Sequence, residues 1–490
     1  MDELRITFLG FGSANRALAR MLLTKSVPPP VSATRIQVGG GRRLCLNGTT
    51  MRLVPWRIVG IITRRHGRVC VPLLPPDDDI PKNKQNYWEI DVEMALHRVE
   101  SGGILDRSVI IQNHNHFSNH NHNEENNDEV HRQVIISDQS TNADETIHLI
   151  SRLGQTKTSN IVVEAIPSNS KGNGEPAISF IAMALQSKMH VVSANKIPLA
   201  YSFNNNDSAH HGRGETYWKL QQLAQFNNVS YQHESAVMDG VPLFSMWKYT
   251  LPHATVTSIR GCLNSTTTMI LSRMEGNNIE ADVGTVDADT RRESFQDALI
   301  AAQEMGIVEE DESLDLDGYD AAVKLRALLV FLSSLTAFNN TIKPIVPTMD
   351  EIPRDSIRNV TPEDIRRAYS NGRKKYRLVA FARLLDAPFE NIEQEVSAND
   401  AVDIISFVDK RWEASIQMQL LSPSDPLYYL SGTDSAVQFC TDVLGPVTVV
   451  SSNPTLMDTA YGLYSDIVRV ATGDCQLNPE EVHKLEIHNS

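Results

Sequence analysis

Apolar positions in the first part of the chain recur in the rhythm of strand, tight turn and helix. Arg5 to Leu9 reads as a buried strand, GFGSAN (Gly10 to Asn15) as a turn, and RALARMLL as the following helix. Residues from about 26 to 54 carry PPP, GGG and several arginines without a period, and read as a loop inserted before the next strand, WRIVGIIT, which ends at Thr63. A second insertion, about 113 to 131, is dominated by Asn and His. Such a segment is too polar to bury a core and reads as a flexible loop, the alternative being adventitious metal pick-up by His114, His116, His120 and His122. Periodicity returns with the helix ETIHLISRL, the apolar strand NIVVEAIP, the helix PAISFIAMALQSK and the strand HVVSA, which leads into Asn195 and Lys196.

The second half continues with a helix near Tyr217 to Gln225, the strand TSIRGC, a polar turn from Leu263 to Thr268 and the helix TMILSRM. The acidic stretch EEDESLDLDGYDAAVK then runs into AAVKLRALLVFLSSL, a helix too apolar to lie on a surface. Asp317 and Gly318 read as its N-cap and turn, and Asp320 and Lys324, four apart, share one face. Strands alternating with helices predict an α/β fold with a doubly wound parallel sheet. Ligands of such sheets lie beyond the carboxyl ends of the strands, which is where Ala165 to Ser168, Ile166 among them, and Asn195 to Lys196 fall.

The glycine turn after the first strand is the pattern of a dinucleotide site, in which the backbone at Gly10, Gly12, Ser13, Ala14 and Asn15 approaches a pyrophosphate at a helix N-terminus. Arg64 and Arg65 follow the second strand at once, where an acidic residue would take the ribose hydroxyls of NAD. Arginine suits a 2′-phosphate, so NADP is preferred to NAD, although arginines also line exposed loops. Asn264 can cap the helix behind it or, with Thr266, present donors to a carboxylate. Taken alone, Asp320 and Lys324 are an ordinary ion pair beside a solvated loop. With Glu309, Asp311 and Asp315 just upstream, they are also what a site for a small zwitterion requires: carboxylates for an ammonium group and a lysine to pass a proton.

The chain has 490 residues, enough for two or three domains, and a formal net charge of −15, which argues against a general nucleic-acid surface. Its five cysteines are scattered and lack CxxC spacing, so neither a disulfide framework nor a zinc site is expected. No signal peptide and no membrane span are expected, and the expected compartment is cytoplasmic.

Together GFGSANRAL, VVEAIPSN with GEPA after it, SANKIPLA, HESAVMDGVPLF, RGCLNSTTTMIL and AQEMGIVEEDESLDLDGYDAAVKL resemble homoserine dehydrogenase. The resemblance implies an NAD(P)-dependent oxidoreductase that interconverts L-homoserine and L-aspartate 4-semialdehyde, in threonine, methionine and isoleucine biosynthesis, without aspartokinase fusion or regulatory domain. It implies a Rossmann domain over 1–232, completed by 455–475, a mixed α/β substrate domain over 251–399, and a region of 233–250 and 400–454 that builds a homodimer. By motif position Lys324 is the proton donor, Glu309, Asp315 and Asp320 are substrate carboxylates, and Lys196 stands close to cofactor and substrate. Glu234, Val237, Asp239 and Val241 cover a loop that holds a monovalent cation such as sodium. The chain departs from the pattern at Asn15 and Ser265, each in place of a glycine, at Glu312 in place of a proline, and in VVSSNPTLMDTA, which replaces a glycine-rich loop. Two other readings remain open: a related NADP-dependent reductase of another small amino aldehyde, and a non-catalytic NADP-binding regulator.

Overall fold

A computed structural model describes residues 3–27, 43–46, 52–71, 87–113, 135–137, 142–169, 173–201, 215–251, 254–276, 293–308, 311–336, 344–386 and 410–473. Glu309, the stretch of the insertion that holds His114, His116, His120 and His122, and the tail after residue 473 lie outside this set. The chain divides into two compact units, one of Met1–Pro198, Trp218–Gly240 and Leu456–Ser490, the other of Leu199–Tyr217 and Val241–Thr455.

In the first unit the strands are β1 (Leu4–Leu9), β2 (Ser26–Val27), β3 (Arg43–Leu46), β4 (Arg52–Ile62), β5 (Arg68–Cys70), β6 (Tyr87–Ile90), β7 (Ile110–Asn113), β8 (Ile135–Ser137), β9 (Ile161–Glu164), β10 (His190–Ser193) and β11 (Tyr231–Gln232). Among the described residues, nine of them form one sheet whose main path runs β11-β10-β9-β1-β4-β3-β2. Neighbours from β11 to β4 are parallel. The chain leaves β1 for β4 on one side and then crosses to β9 on the other, so the switch point of the sheet lies between β1 and β9. That is where an open α/β sheet binds its ligand.

The apolar runs bury as expected: Leu4, Ile6 and Phe8 share a core with Ile58, Ile161 and Val192. The helix Leu456–Thr472 closes this core with Leu463, Ile467 and Val470. The region read as an inserted loop holds more order than its composition suggests. β2, β3 and the early part of β4 pair antiparallel, Ser26 with Leu44 and Arg43 with Pro55, extending the sheet. Strands this short carry little local signal, and the ladder that stabilises them joins residues distant in sequence.

The second unit is built on one antiparallel sheet of β12 (Val256–Cys262), β13 (Lys375–Asp386), β14 (Lys410–Leu421), β15 (Ser435–Thr441) and β16 (Val447–Ser451), in the order β14-β13-β12-β15-β16. The stretches assigned by resemblance to substrate binding and to subunit pairing therefore contribute strands to a single sheet. The helix Tyr319–Thr336 is buried on nearly every side, Ala322, Leu325, Ala327, Leu329 and Val330 completely. Phe331 packs edge-on against Phe244 with ring centroids 4.9 Å apart. Gly318, at φ +71°, turns the chain into this helix, and its carbonyl accepts the first helical amide bond, from Ala322 at 3.0 Å. Asp317, expected as the cap, instead accepts Ser356 Oγ at 2.6 Å and pairs with Arg358. No described helix is long and apolar enough to cross a membrane.

Candidate active site

The residues expected to carry the chemistry fall into two groups, one in each unit. In the first unit, β1 ends at Leu9 and the chain turns at Gly10, where φ is +79° and the amide donates to the Ile62 carbonyl at 2.8 Å. A Cβ at position 10 would lie 2.7 Å from the Ala165 carbonyl oxygen, so both conformation and space demand glycine there. Gly12 is the N-cap of the helix Ser13–Lys25 and supplies no side-chain cap. Nothing lies within 4 Å of where its Cβ would be. The amides of Ser13, Ala14 and Asn15 occupy the first helical positions, which have no intrahelical acceptor, and so face an open approach suited to a pyrophosphate.

Asn15 stands where the fingerprint has a third glycine, and its side chain is fully buried. Its amide donates to the Gly10 carbonyl at 2.7 Å and the Leu9 carbonyl at 3.3 Å. The substitution thus ties the turn to the helix by hydrogen bonds where glycine would do so by close packing alone. Ile166 flanks the same turn: its Cγ2 is 3.2 Å from the position of a Cβ on Gly10.

Arg64 and Arg65 are exposed at the tip of a short turn. The turn is braced by Thr63, whose hydroxyl and amide both donate to the Gly67 carbonyl, at 2.8 and 3.0 Å. The His66 amide donates to the Thr63 hydroxyl at 2.8 Å. Both arginines are therefore carried on a hydrogen-bonded turn immediately after β4, and two exposed guanidinium groups are donors of the type that suits a phosphate.

Of the loop residues expected around a cation, Glu234 is buried and Arg469 donates to its carboxylate at 2.9 Å. Its backbone amide donates to Asp466 at 2.7 Å. Val237 is extended, whereas Met238 and Asp239 both have positive φ, 57° and 59°. The Asp239 carboxylate accepts Thr459 Oγ1 at 2.8 Å. The Val241 carbonyl, in the second unit, accepts the Leu243 amide at 2.7 Å.

The second unit places Asn264, Asp315, Asp320 and Lys324 together. Asn264 caps the helix Ser265–Glu275 by accepting the Thr267 amide on Oδ1 at 2.8 Å. Its Nδ2 donates to Asp315 at 2.7 Å and to Asp320 at 2.9 Å. Sequence left Asn264 as either a cap or a carboxylate binder. It is the cap, and its side-chain amide also binds two of the protein's own carboxylates. Lys324 Nζ lies 2.8 Å from Asp320 Oδ2 and donates to the Leu263 carbonyl at 2.9 Å. An ammonium has three donors, so two are engaged here and one remains to reach a substrate oxygen. Asp315 and Asp320 are buried, which strengthens every charge interaction among these groups.

Thr266 Oγ1 donates to the Ile307 carbonyl at 3.0 Å, which joins this turn to the segment leading into the acidic loop. Ser265 is the first residue of the capped helix. Glu312, in place of proline, has φ −57°, close to what a proline ring imposes, and its carboxylate pairs with Arg358 at 3.0 Å. Cys262 is completely buried in an apolar cluster, and burial pushes its thiol up to about 12, the behaviour of a core residue and not of a nucleophile.

Replacing Asn264 with Asp should test the bridge. It keeps the helix cap but sets a third carboxylate against two others, and like charges at this range cannot all ionise. A loss of about 10²-fold in kcat/KM near neutral pH is expected, with the circular-dichroism spectrum unchanged. Undiminished kcat/KM would mean that the bridge does not organise the site.

A dinucleotide turn in a Rossmann unit, joined in one chain with a carboxylate-held lysine, defines an NAD(P)-dependent oxidoreductase. The family model described as homoserine dehydrogenase matches residues 242–468. The chain is 29% identical over 310 residues to the NAD(+)-dependent homoserine dehydrogenase of Pseudomonas canavaninivorans, covering 63% of this chain and 70% of that protein. It is 26% identical over 307 residues to the homoserine dehydrogenase of Sulfurisphaera tokodaii, covering 63% and 76%. Among solved structures, a hyperthermophilic archaeal homoserine dehydrogenase in complex with NADPH matches with a TM-score of 0.55 at 22% identity, over 97% of this chain and 100% of that one. A homoserine dehydrogenase from Thiobacillus denitrificans matches at 0.53 and 19%, over 96% and 73%. These last two likenesses show the fold. Residues 242–468 thus match the homoserine dehydrogenase family, and the relatives named above are homoserine dehydrogenases.

Proposed function

We propose that this chain interconverts L-homoserine and L-aspartate 4-semialdehyde with NADP, using Lys324 as the proton donor to the aldehyde oxygen. The observation that carries this reading is the Lys324 ammonium, placed by Asp320 at 2.8 Å and by the Leu263 carbonyl at 2.9 Å. The dinucleotide, when bound, supplies or accepts the hydride. Reduction leaves negative charge on oxygen, and a positioned ammonium both stabilises that charge and yields the proton that quenches it. In oxidation the neutral amine form of Lys324 takes the hydroxyl proton by the same contact and becomes the ammonium.

Asp320 orients the lysine, and Asn264 holds Asp315 and Asp320 apart at fixed distances. Asp315 and Glu309 serve the substrate ammonium group, with Thr266 beside the turn that meets its carboxylate. Gly10, Gly12, Ser13, Ala14, Asn15 and Ile166 serve the cofactor, and Lys196, by its motif position, serves the same reaction. The active species in this reading is a homodimer. Support comes from exposed apolar residues, Val443 and Leu444 in the turn between β15 and β16 and Val450 on β16.

Turnover of homoserine measured spectrophotometrically with NADP and NAD side by side tests the reading. No reduction of either cofactor would overturn it. Replacing Arg64 and Arg65 with Ala is expected to raise the KM for NADP about tenfold or more and that for NAD little, since only the former carries the phosphate. Equal changes would remove the argument for phosphate recognition.

A further inference from the structure

Neither the glycine turn nor the lysine site uses Glu164, a carboxylate that is completely buried in the first unit. It ends β9, in register with Leu9 of β1 on one side and Ser193 of β10 on the other, at the switch point of the sheet. Three donors converge on it. Oε1 accepts the Ile166 amide at 3.0 Å and the Asn195 side-chain amide at 3.4 Å, and Oε2 accepts the Ser193 hydroxyl at 2.5 Å.

The network extends one step further. Ser193 Oγ accepts the Asn195 backbone amide at 3.0 Å, and Asn195 Oδ1 accepts the Ile197 amide at 3.1 Å and the Ser168 hydroxyl at 3.2 Å. The backbone is thereby anchored on both sides of Lys196, and the turns after β9 and β10 become one hydrogen-bonded piece. Burial pushes the Glu164 carboxyl up, while the three donors pull against that shift. A buried carboxylate is far more costly than an apolar side chain in the same place. What it offers in exchange is an acceptor-only group with two oxygens, able to take all three donors at once.

We propose that Glu164 is a positioning residue for hydride transfer: it sets where Lys196 and Ile166 stand against the cofactor by holding their two turns as a single unit. The proposal rests on the role assigned above to Lys196. Glutamine in its place would turn a donor toward the Ser193 hydroxyl and break the convergence without changing volume.

The test is a double-mutant cycle on the full chain, with kcat, the KM for NADP, NADPH binding by fluorescence and thermal unfolding recorded for Glu164→Gln, Lys196→Ala and the pair. Glu164→Gln is expected to lower kcat on the order of tenfold, because small misplacements of a reacting group are costly. In the Lys196→Ala background it should lower kcat by less than about twofold, since the residue it positions is gone. If the two losses simply multiply, Glu164 is a general structural residue and the proposal fails. It fails also if Glu164→Gln alone leaves kcat intact, which would not touch the role of Lys196. Full activity of Lys196→Ala would instead overturn the role of Lys196, and this proposal with it. Should Glu164→Gln not fold, Glu164→Asp, which draws the carboxylate back by one methylene, enters the same cycle under the same criterion.

Discussion

Lys324→Ala is expected to lower kcat for homoserine oxidation by at least ~10²-fold, the low end for removal of a general acid or base. The loss should fall on kcat more than on KM, because the contact to the substrate oxygen strengthens as charge develops there. The fold should tolerate the change. Asp320 keeps the Asn264 amide at 2.9 Å when the ammonium is gone, and the helix around position 324 is held by its apolar face. Steady-state kinetics together with an unfolding curve separate the two effects. A variant with parental turnover would end the assignment of Lys324. One that loses turnover only because it unfolds would leave the assignment unsupported, and Lys324→Met, which preserves the aliphatic stem, then decides it.

Arg377→Ala is expected to destabilise the second unit by about 3 kcal/mol or more, read as a lowered midpoint in urea. The side chain is fully buried on β13, and its guanidinium donates to both oxygens of Glu275, at 2.6 and 3.2 Å. It also donates to the carbonyls of Tyr376 and Leu430, each at 2.7 Å. Removing it takes two hydrogen bonds from a buried carboxylate and one from each of two carbonyls. Lys375, 3.4 Å from the same carboxylate, keeps the expected cost near the lower end for a broken buried pair. Glu275 is the last residue of the helix whose first turn Asn264 caps, so Arg377 fastens one end of the helix that carries the site at the other. An unchanged midpoint would show that this ion pair contributes nothing to the unit.

Much of the site was legible before any coordinates. The glycine turn announced itself because a strand, a sharp turn and a helix within about 25 residues leave few alternatives. Lys324 and Asp320 were visible as a pair through helical spacing. Less legible was what each group touches. Asn264 could be read as a cap, but nothing in its neighbourhood announced that its amide would bridge two aspartates more than 50 positions away. The Leu263 carbonyl, as a backbone acceptor for Lys324, carries no sequence signal at all. Glu164 did carry one, as an acid at the end of an apolar strand, but its complete burial and its three donors are visible only in the fold.

What the sequence by itself determined is the α/β alternation, the glycine turn and the resemblance to homoserine dehydrogenases, because these depend on local periodicity and on residue types at fixed short spacings. The tertiary structure alone decided that Asn264 bridges Asp315 and Asp320, how Asn15 replaces a glycine without opening the turn, and that Glu164 joins two loops. Each of these depends on hydrogen bonds between groups brought within 3 Å or so by strand pairing and helix packing. Such distances are set by the whole fold and leave no trace in the order of the residues that make them.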